Sequence, residues 1–157
     1  MILLTYEELL ILSESESLIV KEAHIPGYGG RLYKIGLPLT RLFPPQAEKS
    51  CVLAEEIGHY CTTTGNILDQ NDTMNRKQEY RARLYGYNLR VGLIGIIKSY
   101  EARCRNLHEM AEYLDVPEDY LIEVIDCYRS KYGQYIALDN YMIYFIPQLA
   151  VMRIDVL

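Results

Sequence analysis

Leu53-Ala54-Glu55-Glu56-Ile57-Gly58-His59-Tyr60 is the stretch on which the reading of this chain turns. Leu53, Ile57 and Tyr60 recur at i, i+4 and i+7, the spacing of one buried stripe on a helix. Cys51, Ala54 and Gly58 line up beside it as a strip of small residues, open to close approach by another backbone. A glycine inside a helix costs about 1 kcal/mol relative to alanine, so close packing is the expected reason for Gly58. The helix is predicted over residues 45–61, with Pro45 suited to its first turn.

The same stretch carries the chemistry. Glu55 and His59 are four apart and project from one helix face, where two side chains can grip one ion. Glu56 sits between them, the place a metal-dependent hydrolase gives its general base. A third ligand must come from elsewhere, and Glu79, near the start of the next long helix, is the natural candidate. Asp69 and Asp72, in the segment before it, could replace either glutamate, although aspartates are also ordinary loop and cap residues. Taken alone, an E-E-x-x-H string is commonly a solvated helix face.

Outward from this helix the punctuation is regular. Thr5 with Glu7 and Glu8 opens a short helix running to about Ser15. Leu18-Ile-Val-Lys-Glu-Ala-His-Ile25 and Arg31-Leu-Tyr-Lys-Ile35 flank the turn Gly27-Tyr-Gly-Gly30 and read as a hairpin. Pro38, Pro44 and Pro45 punctuate a loop after it. A polar loop over residues 62–73 leads to a helix from about Asn75 to Leu89. Shorter helices fit residues 93–103, 107–114 and 118–132, with Asn106 as N-cap of the second, Val116-Pro117 as the break and Gly133 as the final stop. The tail over residues 134–146 reads as strands on both sides of Asp139-Asn140.

Composition sets the outer bounds. The chain has 157 residues, 16 basic and 21 acidic, for a net charge of −5. That balance argues against broad, sequence-independent nucleic-acid binding. No apolar run approaches the roughly 18–20 residues needed to cross a bilayer, and the N-terminus lacks the basic start of a signal peptide. Cys51, Cys61, Cys104 and Cys127 form no CxxC pair and are expected as reduced, mostly buried thiols of a cytoplasmic protein. There are 15 tyrosines, 2 phenylalanines and no tryptophan. Core-edge filling is the plain reading, and a homodimer or substrate-docking surface the sharper one.

With Gln78-Glu-Tyr-Arg-Ala-Arg-Leu84 downstream and a hairpin upstream, Leu53–Tyr60 resembles the ImmA/IrrE family of metallo-endopeptidases, in the short form encoded by prophages and mobile elements. The family pattern, H-E-x-x-H on one helix and a glutamate ligand opening the next, can be followed from about Ile19 to Leu89. The resemblance implies a zinc-dependent endopeptidase that cleaves a helix-turn-helix transcriptional repressor. It matches His59 to the second histidine ligand, Glu56 to the general base and Glu79 to the downstream glutamate ligand. Glu55 stands where the family has its first histidine. Two carboxylates and one neutral imidazole then put two negative charges on the ion instead of one, so water is acidified less and Mn²⁺ competes better with Zn²⁺.

The fold class expected on this basis is α+β. Residues 1–92 would form a zincin-like core, a small sheet packed on a metal-site helix pair. Residues 93–157 would form a helix-turn-helix-like helical unit with a terminal hairpin, the two packed as one compact unit. Over residues 106–133 the acids Glu109, Glu112, Asp115, Glu118, Asp119, Glu123 and Asp126 face only Arg129 and Lys131, so this unit is expected to be structural or protein-binding and not to contact DNA directly. The rival to a peptidase is a non-catalytic regulator of the same fold that binds a repressor or another partner, with a weak or empty metal site. Tyr60 is expected to pack in the core, though it could donate to an oxyanion. Cys61 should point away from the metal face. Cys104 and His108 share i, i+4 spacing, but Asn106 is expected to break the helix between them, and His24 carries no pattern.

Overall fold

The computed structural model describes residues 3–16, 18, 20–25, 28–34, 37–38, 46–62 and 72–154. Among them are six helices and two three-stranded antiparallel sheets, a mixed helix and sheet architecture. None of these helices is long and apolar enough to cross a membrane. The chain divides into two compact units, Leu4–Gly86 and Tyr87–Leu157 with Met1–Leu3, and the division falls inside one helix.

The first unit opens with α1, Tyr6–Ser15, fastened by a reciprocal cap: Glu8 N–H donates to Thr5 Oγ1 and Thr5 N–H to Glu8 Oε2, at 3.3 and 2.7 Å. Next come β1 (Lys21–Ile25), β2 (Tyr28–Lys34) and β3 (Leu37–Pro38), in sheet order β1-β2-β3. The hairpin is therefore present with two changes from expectation. Tyr28, Gly29 and Gly30 belong to β2 and not to the turn, Tyr28 pairing with Ile25 across a register shift. Pro38 pairs with Tyr33 instead of sitting in a loop, which an edge strand tolerates because one side of its backbone needs no ladder donor. Pro44 and Pro45 lie outside the described residues.

Helix α2 spans Gln46–Thr62 and α3 spans Asp72–Arg90. Leu53, Ala54, Ile57 and Gly58 of α2 are buried, as is Ala82 of α3. The small-residue strip does what its spacing predicts. A Cβ on Gly58 would collide with the Ala82 carbonyl, and one on Gly86 would lie 2.9 Å from the Ala54 carbonyl oxygen. The two helices thus cross backbone against backbone at two reciprocal glycine contacts. α1 packs on α2, with Gln46 Nε2 donating to Glu7 Oε1 at 2.8 Å.

The second unit begins in the last turn of α3, which stops where Gly92 adopts a positive φ of 63°. α4 (Gly92–Glu101), α5 (Leu107–Leu114) and α6 (Glu118–Tyr132) follow. α4 ends two residues short of the expected 103 because Arg103 turns to φ 63°. Asn106 caps α5, its side chain accepting from Glu109 N–H at 2.8 Å, and Asp115 closes that helix in the left-handed region. Arg90, itself buried, donates to the Asp115 carbonyl oxygen. β4 (Tyr135–Leu138) and β5 (Tyr141–Tyr144) flank Asp139-Asn140, and a third strand, β6 (Ala150–Arg153), extends the expected hairpin to a sheet. Tyr128 anchors this core: its hydroxyl donates to Asn88 Oδ1 at 2.9 Å, and its ring meets Phe145 edge-on, while burial pushes the hydroxyl well above the ordinary tyrosine range.

Two stability outcomes follow from these contacts. Gly58→Ala forces the helices apart and should destabilise the protein by about 1–3 kcal/mol, read as a lowered Tm by circular dichroism. Asn106→Ala removes the α5 cap and should cost about 1 kcal/mol in denaturant unfolding.

Candidate metal centre

The glycine crossing sets the position of the functional face. Glu55 and His59 lie one turn apart on α2, and Glu79 lies about two turns into α3, one turn before Ala82, because α3 begins at Asp72 and not at the expected Asn75. One ligand atom from each of the three lies within 4.8 Å of the others. His59 Nε2 and Glu79 Oε2 are 3.5 Å apart. The side chains of Glu55, His59 and Glu79 are 36, 32 and 45 % exposed, so the group faces solvent from a half-buried seat.

These donors suit a divalent ion. In a tetrahedral zinc site with bonds of about 2.0–2.1 Å, ligand atoms stand about 3.3 Å apart. The His59–Glu79 pair already has nearly that separation. Glu55 offers the third donor, one ligand atom of each residue lying within a spread of 4.8 Å. Two carboxylates and an imidazole leave a coordination position for water or substrate, as at catalytic sites. Glu56 follows Glu55 on α2 and is partly buried.

One residue that the pattern gave no cause to name also lies here. Arg83, one turn beyond Glu79 on α3, places Nε 2.8 Å from Glu79 Oε1 and 3.4 Å from Glu55 Oε1. Its i, i+4 offset from Glu79, glutamate first, was the available signal. Nothing local links it to Glu55, which only the helix crossing brings near.

Tyr60 corrects an expectation: it is 37 % exposed, whereas Leu53 and Ile57 are buried. The buried face of α2 is centred between the Leu53–Ile57 row and the small-residue row, so Tyr60 falls on its rim, two residues from the helix end. Cys61 is exposed and lies against Tyr85, whose hydroxyl is raised above its ordinary range by burial and then by the Cys61 side chain. All four cysteines are free, but Cys51 alone is buried, so the expectation of mostly buried thiols fails. Cys104 precedes the α5 cap and reaches the Glu109 carbonyl oxygen at 3.6 Å, while His108 faces Glu112 and Glu118. Asp69 lies outside the described residues, as do the side chains of Asp72 and His24.

In comparisons with known proteins, no family model, no curated protein and no solved structure matches this chain.

If the three side chains act as one site, titration of the protein with Zn²⁺ in a competition assay against a chromophoric chelator should give one ion per chain. His59→Ala and Glu79→Gln each remove a ligand and should each weaken binding by at least the roughly ten-fold that losing an outer-shell partner costs. Equal affinity in all three proteins would remove the site.

Proposed function

We propose that this protein is a metal-dependent endopeptidase whose ion is held by Glu55, His59 and Glu79, with Glu56 as general base. The observation that carries this reading is the convergence of the three ligand atoms within 4.8 Å across two helices. The likeness of Leu53–Tyr60 and Gln78–Leu84 to the ImmA/IrrE pattern supports it, including a zincin-like core built on α2 and α3. The same likeness gives the substrate class, a helix-turn-helix transcriptional repressor of a prophage or mobile element, and the four free cysteines suit a cytoplasmic setting.

A divalent ion at this place supplies Lewis-acid polarisation of a peptide carbonyl and lowers the pKa of the attacking water. The chain's own groups supply the proton transfers. Glu56 takes a proton from the water as it adds to the carbonyl, and then gives that proton to the departing amine as the C–N bond breaks. The acidic exposed residues of α6, Glu118, Asp119, Glu123 and Asp126, favour a protein partner over the phosphate backbone of DNA.

A second reading rests on Arg83. Its guanidinium already satisfies Glu55 and Glu79, as an ion pair network that needs no metal would. On that reading the protein is a non-catalytic regulator that binds its partner through the same fold.

Co-incubation with the purified cognate repressor separates the two. The peptidase reading expects a discrete fragment that chelator abolishes, and expects Glu56→Gln to bind Zn²⁺ and repressor normally while cutting at least about a hundred-fold more slowly. Stable binding with no fragment in any metal would leave the regulator.

A further inference from the structure

We infer that Arg83 sets the metal affinity of this centre, acting as a tethered counter-charge that offsets the extra negative charge of Glu55. This rests on the metal-site reading above and adds to it a residue that touches neither ion nor substrate. The geometry is specific. A single nitrogen, Nε, faces the Oε1 atoms of both carboxylates, at 2.8 Å from Glu79 and 3.4 Å from Glu55. Glu79 Oε1 is thereby committed to Arg83, while its other oxygen, Oε2, is the one that faces His59.

Charge counting shows what this does. Glu55 and Glu79 with a neutral imidazole present two negative charges to an ion. Adding Arg83 brings the group to one, the same as a site of two histidines and one carboxylate. Arg83 therefore compensates, on α3, for the carboxylate that α2 carries in place of an imidazole.

Two effects of opposite sign follow, and their sizes decide between them. By holding Oε1, Arg83 orients the carboxylates, which favours binding. Exposed arginine–carboxylate pairs are weak, however, and Arg83 is 49 % exposed, so orientation is worth only about two-fold. Against this, a full positive charge stands within roughly 5 Å of where a dication would bind, and even a well-screened repulsion at that range is worth about ten-fold. Repulsion wins. Arg83 weakens ion binding.

The test is titration of Zn²⁺ and Mn²⁺ into the full-length wild type, Arg83→Gln, Arg83→Met and Arg83→Lys, with folding checked by circular dichroism. Both neutral variants should bind each ion roughly five-fold more tightly than wild type, and Arg83→Lys should stay within about two-fold of it. The gap between wild type and Arg83→Gln should narrow as salt is raised towards 1 M, where the screening length falls to about 3 Å. A purely structural arginine would show no such salt dependence. Unchanged or weaker binding in both neutral variants, beside a wild type that does bind, overturns this role and leaves the metal site standing. No binding by any of the four proteins removes the metal site and this role together.

Discussion

The close crossing of α2 and α3 is the constraint from which the candidate site follows. Gly58 lies on the Ala82 carbonyl and Gly86 on the Ala54 carbonyl, so each helix offers the other a bare patch of backbone. Two helices can approach this closely only where both lack side chains at the contact. The result is a short distance between side chains flanking the crossing. Glu55 and His59 on one helix and Glu79 and Arg83 on the other meet there with no loop residue required. A methyl group at either glycine would move these groups apart even though neither glycine carries any chemistry.

Charge is the second theme. The centre holds two carboxylates, an imidazole and a guanidinium within a few ångströms. Such a group is self-satisfied in the absence of an ion, yet it keeps one Glu79 oxygen directed at His59. Whether it serves as a peptidase centre or as an ion-pair network depends on which cation, metal or guanidinium, the carboxylates favour. The proposed role of Arg83 makes that balance a property of one side chain.

The second unit shows how a helical pattern acquires a definite path. Its turns are set by local backbone: positive φ at Gly92, Arg103, Asp115 and Gly133, and an asparagine cap on α5. Its tyrosines divide by position. Tyr87 and Tyr128 are buried with hydroxyls bonded to Glu123 and Asn88, whereas Tyr100, Tyr113 and Tyr135 are exposed. Two of the acids of α6 are paired locally, Glu118 with His108 and Asp126 with Arg129.

Helix limits to within about a turn, the caps and the reason for Gly58 were legible in the amino-acid sequence because each depends on residues within a turn or two of one another. The pairing of Glu55 with His59 was legible for the same reason, since four residues on a helix define one face. Other features needed the folded chain. Gly86 has no local role that its neighbours reveal, Tyr60 fits the buried stripe by spacing and yet lies on its rim, and β6 joins its sheet only through pairing with β5. Arg83 is the clearest case. Its link to Glu79 is a local offset, but its link to Glu55 spans two helices and exists only because two glycines let those helices touch. Local periodicity determined which faces exist; the crossing decided which faces meet, because contact between helices depends on the distance between their axes, and no spacing along one chain encodes that.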